Sequence, residues 1–400
     1  MKSVNKGKKV YVGMSGGVDS SVSAALLKAA TPNNFEKLFG RPTPKGFRGY
    51  DVTGVFIKVW QPEWFECTWR EDRLDAMRVC AKLDIPFVTL DLESEYKKEV
   101  VDYMIAEYKA GRTPNPDVMC NKYVKFGGFY KWAMAQGADY VATGHYTRVG
   151  TREFSITKKQ DPNKFEIQDS KPSTKNYELK TALDSNKDQS YFLWTLTADQ
   201  LAHTLFPVGD MEKPVVRKYA EKFGLATAFK KDSQGLCFIG KVDVKDFLKR
   251  YIEPKRGDVL SVDGEVVGFH DGATFFTIGE RHGFTIIKKG TLDEVQYVVA
   301  KDIEKNTITV SKVSQIGKFD NSVTRVRLNN VNIINPSEFK INHPYMARAR
   351  YRQELVGCKI TEYSGETVCL EFNASQENIS PGQSLVFYDA EVCLGGGIIE

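Results

Sequence analysis

Two glycines and two serines around an aspartate, a cysteine behind two prolines, and a second cysteine behind two lysines are the residues of this 400-residue chain whose types and spacing suit chemistry. The first group is Gly13, Met14, Ser15, Gly16, Gly17, Val18, Asp19 and Ser20. Adjacent glycines let backbone approach a phosphate closely, and a helix opening just after them offers free N–H groups and the positive end of its dipole. The serines add hydroxyl donors. No lysine follows the glycines, so this is not the G-x-x-x-x-G-K-[ST] loop. It suits gripping the pyrophosphate end of a nucleoside triphosphate while a nucleophile attacks the α-phosphate. Asp19 is then a candidate holder of the accompanying Mg²⁺. A plain β–α turn accounts for a lone Gly-Gly, but poorly for the whole string at the end of a first strand.

Residues 111–121 read GRTPNPDVMCN. The two prolines argue for a fixed loop, with a helix expected from about residue 122. Cys120 at a helix start would have its thiolate stabilised, with Asp117 as a proton acceptor or donor beside it. Residues 230–240 read KKDSQGLCFIG, a basic setting that also favours a thiolate at Cys237. Cys67, Cys80, Cys358, Cys369 and Cys393 read as small buried hydrophobes. Seven scattered cysteines without a C-x-x-C pair argue against a disulfide framework or a zinc site and fit a reducing compartment. An iron–sulfur cluster held by Asp117, Cys120 and Cys237 stays open as a less favoured alternative.

The elements that must position these residues follow from periodicity. Strands are expected at 8–14, 52–60, 86–90 and 139–143, and helices at 21–30, 71–83, 94–109 and 122–136. This alternation predicts a parallel, doubly wound α/β sheet. Residues 31–50, with three prolines and three glycines, read as a surface insertion. A polar β-like excursion follows to about 182, with helices expected at 188–206 and 213–223. Past 257, short β runs with glycine turns (296–300, 307–311, 367–372, 384–388) predict a small β-barrel. The expected division is 1–212 for the nucleotide domain, 213–290 for a small central domain and 291–400 for the barrel.

Composition is that of a globular chain, 42% hydrophobic and 27% charged. No apolar run is long enough for a membrane span, and the short basic start lacks the apolar stretch of a signal peptide, so a cytoplasmic location without membrane is expected. The net charge of +5 says little, but between residues 213 and 256 twelve Lys/Arg face five Asp/Glu, and Arg348, Arg350 and Arg352 cluster later. Such patches suit a polyanion, though a solvated helix face explains many of them.

Taken together, SGGVDSSV, GRTPNPDVMCN, ADYVATGHY, LDSNKDQSYFL, FPVG, KKDSQGLCFIG, FTIGERHG, RYRQ, PGQSLVFYD and CLGGGII, in this order and over nearly the whole chain, closely resemble the tRNA-specific 2-thiouridylase family. The glycine loop itself is similar to the PP-loop of the ATP pyrophosphatases. The resemblance implies that ATP, held by residues 13–20, Ile57 and Gly144, adenylates the 2-oxygen of a wobble uridine in tRNA. Cys237 would bring a persulfide from a sulfur-relay donor protein, and Cys120 would be the nucleophile that resolves it, giving 2-thiouridine and a disulfide. Asp117 would be the general acid/base, within an Asn115, Pro116 and Asp117 element that meets the everted base. His145, Lys187, Asp188, Gln189, Arg350, Tyr351 and Gln383 match the family's tRNA contacts. The tRNAs for Lys, Glu and Gln are the expected substrates. Ile57 stands where the family has methionine, which implies slightly different adenine packing. A PP-loop synthetase acting on a small molecule is the rival enzyme reading, and it needs neither the cysteine pair nor the basic excess. An RNA-binding module that merely retains a nucleotide fold is the non-enzymatic one.

Overall fold

The hydrophobic run that follows Gly7 is a strand because it is buried on both faces, as a central parallel strand must be; Val10 and Val12 are inaccessible to solvent. The computed structural model describes residues 7–39, 42–43, 46–64, 69–153, 175–231, 243–287, 295–312, 323–377 and 379–400. Its first domain contains β1 (Lys8–Gly13), β2 (Tyr50–Lys58), β3 (Phe87–Asp91) and β4 (Tyr140–Ala142). After the antiparallel pair β5 (Arg148–Glu153) and β6 (Lys175–Lys180) comes β7 (Thr204–Leu205). The sheet order is β3-β2-β1-β4-β7, all parallel. The winding reverses between β1 and β4, which opens a crevice at their carboxyl ends. Helix α1 (Val18–Ala29) starts at that crevice and is buried along most of its length, its alanines and serines permitting close packing.

The segment 31–50 lies at the surface, most of its described residues being exposed or half-exposed, but it is not wholly a loop. It contains a short helix, Phe35–Phe39, whose Phe35 is fully buried, tilted against the Phe39 ring and edge-on to Phe47. Phe35, Phe39 and Phe47 form an aromatic plug against the core within this otherwise exposed segment. The region 188–206 is not a long helix either. It is a 3₁₀ turn at Ser190–Phe192, a capped helix at Ala198–Ala202 and β7. Buried Asp188 bonds the backbone N–H groups of Ala182 and Ser190, which favours a turn over helix continuation. The helix Lys213–Lys222 packs against α1.

The middle sheet comprises β8 (Gly257–Leu260), β9 (Val266–His270), β10 (Phe284–Ile286), β11 (Gln296–Asp302) and β12 (Thr307–Lys312), in the order β10-β9-β8-β12-β11. The runs near 296 and 307 join this sheet because β12 pairs with β8. The last six strands are β13 (Val323–Ile333), β14 (Pro344–Arg348), β15 (Val356–Tyr363), β16 (Val368–Gln376), β17 (Ser384–Asp389) and β18 (Val392–Ile399). They close into a barrel through the β13–β18 pairing, which removes the open edges. The excursion after β4 belongs here too. β6 pairs with β18, so β5 and β6 extend the barrel's sheet from the first domain.

Among the described residues, no helix is long and apolar enough to cross a membrane. The aromatic plug gives a stability prediction. Phe35→Ala should destabilise the first domain by about 3–5 kcal/mol, as buried Phe truncations do, when denaturant unfolding is followed through that domain's transition. A loss within experimental error would mean that the helix is dispensable to the core.

Candidate nucleotide and cysteine site

The glycine loop leaves β1 at Gly13 and enters α1 at Val18, so half of the string SGGVDS is already helix. Gly17 occupies the N-cap position and brings no capping side chain, leaving the helix start without an internal acceptor from that residue. The serines stiffen the loop instead. Ser15 N–H donates to Ser20 Oγ at 3.2 Å, Gly17 N–H donates to Ser15 Oγ at 3.3 Å, and the Ser20 and Ser21 hydroxyls donate to the Gly17 carbonyl at 3.2 and 2.7 Å. Gly16 has φ +72°, and a Cβ there would run into the Asp72 carbonyl oxygen. Across the crevice, a Cβ on Gly144 would lie 2.6 Å from Ser20 N, so only glycine lets the end of β4 approach α1 this closely. The result is a cradle of backbone N–H groups at a helix N-terminus, the arrangement that binds phosphate. Met14 is buried and its N–H donates to Val55 O at 2.8 Å, while Ile57 is buried near the end of β2.

Asp19, in the first turn of α1, is held from two sides. The Tyr146 hydroxyl donates to Oδ1 at 2.8 Å, and the Lys213 ammonium bridges both carboxylate oxygens at 2.8 Å. Lys213 also lies 5.7 Å from the centre of the Tyr146 ring. The loop lacks its own lysine, and the tertiary structure supplies one from a helix nearly two hundred residues later. Sequence reasoning placed Lys213 among candidate surface cations and missed this. The available signal was position: Lys213 starts its helix immediately before Pro214, so its place is fixed. A Mg²⁺ site with one carboxylate plus substrate phosphates fits this setting. Among the described residues, no three His, Cys, Asp or Glu side chains gather as a metal site.

The helix bearing Cys120 starts earlier than expected. Pro116 is its first residue, where a missing N–H costs nothing, and Asn115 caps it by accepting from Val118 N–H at 3.3 Å. The α-helix Pro116–Met119 widens to a π-helical stretch, Cys120–Phe129, and returns to α-helix at Tyr130–Ala135. Cys120 therefore sits one turn inside the helix, fully buried, rather than on a polar loop. Asp117 is half-buried in the first turn. Farther along, the Phe129 ring lies 3.5 Å from where a Gly13 Cβ would be, and the Lys125 ammonium lies 3.3 Å from His145 Nε2. One helix thus runs from the Cys120 turn to the β1/β4 crevice. Cys237 and Cys67 lie outside the described residues. Burial pushes the thiols of Cys80, Cys358 and Cys393 up, to about 11, 12 and 12, which keeps them protonated and inert.

Of the remaining expected site residues, Asp188, Arg350, Tyr351 and Gln383 lie at the junction with the barrel. Asp188 is buried in an ion pair with Arg348, which also bonds the Tyr388 hydroxyl. Gln189 accepts from Tyr146 N–H at 2.9 Å. Arg350 donates to the Ile278 carbonyl at 2.7 Å, and burial lowers its pKa. The Tyr351 ring packs 4.6 Å from that of Phe192. The side-chain amide of Gln383 donates to the carbonyls of Thr113 and Pro114. Lys187 is half-buried. His145 is buried between Thr143 Oγ1, 2.7 Å from Nδ1, and Lys125. Burial first, then the Lys125 charge, drives its pKa well below the ordinary range. Of the basic run, Lys230 is engaged by Asp72 and Asp75, at 2.8 and 2.7 Å, as Lys213 is by Asp19. Lys218, Lys222 and Lys231 are exposed or half-exposed.

A parallel sheet with a phosphate cradle at its switch point, followed by two β domains, defines a nucleotide-binding enzyme of the HUP and PP-loop class. The comparisons agree. Residues 8–39 and 46–241 match the family model described as tRNA methyl transferase HUP domain. Residues 245–312 match its PRC-barrel domain, and 323–399 match the aminomethyltransferase beta-barrel domain. The tRNA-specific 2-thiouridylase MnmA of Pasteurella multocida is 41% identical over 99% of this chain and 94% of its own length. The protein of the same name from Aeromonas salmonicida is 41% identical over 98% and 96%. A solved U34-tRNA thiolase, NcsA from Methanococcus maripaludis, is 16% identical with a TM-score of 0.32, covering 63% of this chain and 70% of that one, a likeness too slight to build on. The chain belongs to the tRNA-specific 2-thiouridylase family.

The His145 environment has a consequence for stability. Its pKa is depressed in the folded state, so the unfolded chain takes up the proton first. Stability is full above the unfolded value of about 6.5 and falls by about 1.4 kcal/mol per pH unit below it, until the folded imidazole also titrates. His145→Gln should flatten this decline between about pH 6.5 and 5. An unchanged pH profile of denaturant midpoints would show that another group governs acid lability.

Proposed function

We propose that this protein is an ATP-dependent tRNA-uridine 2-sulfurtransferase acting on the wobble uridine. The observation that carries the reading is a single helix reaching from buried Cys120 to the phosphate cradle, where its Phe129 and Lys125 meet Gly13 and His145. A PP-loop synthetase acting on a small molecule has no need of a thiol held in that line.

In this reading residues 13–20 and Gly144 hold the triphosphate, with the adenine near Ile57. The uridine 2-oxygen attacks the α-phosphate and pyrophosphate leaves, turning that oxygen into part of a good leaving group. Mg²⁺, when bound at Asp19 and the phosphates, would neutralise charge on the departing pyrophosphate. Lys213, displaced from Asp19, would then face the phosphates. The terminal sulfur of a Cys237 persulfide attacks C2 of the base. The Cys120 thiolate next attacks Cys237 Sγ; the sulfur–sulfur bond breaks, its electron pair goes to the sulfur on the base, and AMP departs as the thiocarbonyl forms. A Cys120–Cys237 disulfide remains, which a thiol reductant must reopen before the next turnover. Asp117 moves the proton, and Asn115 and Pro116 form the wall against the everted base. Burial protects the Cys120 thiol from bulk oxidants between turnovers.

Lys187, Arg350 and Tyr351 contact the tRNA, while Asp188, Gln189, His145 and Gln383 hold the surfaces that do. The first domain performs the chemistry and the two β domains grip the RNA. The substrates are the tRNAs for Lys, Glu and Gln, and the sulfur comes from a persulfide-carrying relay protein in the cytoplasm. An iron–sulfur cluster in place of the persulfide is the less favoured route.

Two outcomes are expected. Cys120→Ser and Cys237→Ser should each abolish 2-thiouridine in nucleoside mass spectrometry of treated tRNA, yet still release pyrophosphate in a tRNA-dependent way. Cys80→Ser and Cys358→Ser should keep most activity. Thiolation by either critical variant under anaerobic assay would rule out the persulfide–disulfide scheme. Neutralising Lys218, Lys222 and Lys231 should weaken tRNA binding and lower the log–log salt slope by roughly 0.7–0.9 per lost phosphate contact, whereas Lys230→Gln should leave the slope alone because its ammonium is already engaged. An unchanged slope for the first three would assign them to a solvated face.

A further inference from the structure

The loop that leads into the Cys120 helix contains the sequence T-P-N-P, and two of its four residues have no N–H. Ahead of the Asn115 cap such a segment makes no regular hydrogen bonds of its own, and its carbonyl groups need donors from elsewhere. Residues 381–383 of the barrel hold it: Pro381 accepts from the loop and Gln383 donates to its carbonyls. Thr113 N–H donates to the Pro381 carbonyl at 2.9 Å. Gln383 Nε2 donates to both the Thr113 and the Pro114 carbonyls, at 2.9 and 3.1 Å. Between them, Gly382 has φ +90°, and a Cβ there would lie 2.9 Å from Thr113 O and 3.0 Å from Arg112 Cβ. The gripping turn is itself anchored. Gly382 N–H donates to Ile399 O, and Ile399 N–H donates back to Gln383 O, both at 2.9 Å. The middle domain reaches the same loop, with Thr277 Oγ1 3.1 Å from Thr113 Oγ1. The Asn115 side chain also bonds the buried Tyr191 hydroxyl, which lies 2.8 Å from Ser384 O.

We propose that Gln383 is a positioning residue: its amide fixes the Thr113–Pro114 backbone against the barrel and thereby sets the Asn115 cap, Asp117 and Cys120 for sulfur transfer. The proposal rests on the reading of Cys120 as the nucleophile. Asn115 decides where the helix begins, and Asp117 and Cys120 lie within its next five residues. A shift at the cap is therefore passed to both. A 1 Å misplacement of a reacting group costs on the order of 100-fold in rate. Gln383 supplies both of the bonds that hold the two carbonyls preceding the cap. This differs from a direct RNA contact, which would show as affinity rather than as rate at saturation.

The test uses the full chain with tRNA, ATP, a persulfide donor and a thiol reductant. Gln383→Glu keeps the size of the side chain but turns the donor into an acceptor facing two carbonyls. Gln383→Leu removes the donor, and Gly382→Ala leaves the amide in place while pressing on Arg112 and Thr113. Thiolation at saturating tRNA should fall by about 10- to 100-fold in all three, with the thermal midpoint of Gln383→Glu close to wild type. A normal saturated rate with weakened tRNA binding would overturn the proposal and make Gln383 an RNA contact. A normal rate with normal binding would also overturn it. If Gln383→Leu does not fold, the other two variants decide. Cys120→Ser is run alongside: normal thiolation by that variant defeats the reading of Cys120 itself, whereas its inactivity beside a fully active Gln383→Glu defeats the positioning role alone.

Discussion

The buried ion pair between Arg348 and Asp188 commits the barrel and the nucleotide domain to one relative placement. Neither side chain has appreciable access to water, so each charge depends on the other and on nearby hydroxyls. Asp188 also accepts from the N–H groups of Ala182 and Ser190 and from the Ser190 hydroxyl, while Arg348 is shared with Tyr388. Removing one partner of such a pair typically costs about 3–5 kcal/mol, because the other is left uncompensated. The pair is better regarded as a device for specificity of docking than as net stabilisation, since its desolvation cost is large.

Much of the site hangs from that junction. Ser190 leads directly into Tyr191, whose buried hydroxyl touches the barrel carbonyls of Ala349 and Ser384 and the Asn115 cap. The β5–β6 excursion adds two strands to the barrel sheet from the first domain, so the contact between domains is backbone as well as side chain. Arg350 ties the barrel to the middle sheet through Ile278. The Asn115–Cys120 segment of the first domain is in this way framed by elements of all three.

The electrostatics of the nucleotide crevice follow a different logic from loops that carry their own lysine. Here the cation arrives from Lys213 and rests against Asp19, while backbone N–H groups at the start of α1 provide the rest of the positive potential. The Asp19 carboxylate is thereby neutralised by a side chain of this chain itself. Lys230 is bound in similar fashion by Asp72 and Asp75, on the helix whose start presses against Gly16. The basic stretch that reads as one patch in sequence is thus divided between internal pairs and exposed cations.

Local patterns determined the parallel sheet and the phosphate loop at the end of its first strand, because period and glycine placement are properties of neighbouring residues. They also identified the β-rich second half. Tertiary structure alone decided four other matters. Pro116 starts the Cys120 helix, although two prolines read as a loop, because a first-turn proline loses no hydrogen bond and Asn115 can cap it. Phe35 and Phe39 are buried against the core within a segment that otherwise lies at the surface, as its glycines and prolines suggested. Lys213 meets Asp19 across 194 residues of chain. Asp188 and Gln383, polar residues in motifs that suggested RNA, are spent on Arg348 and on the carbonyls of Thr113 and Pro114. Each of the last two depends on which distant group fills a polar residue's hydrogen bonds. Sequence shows that such a residue needs a partner, and only the folded chain determines which partner it has.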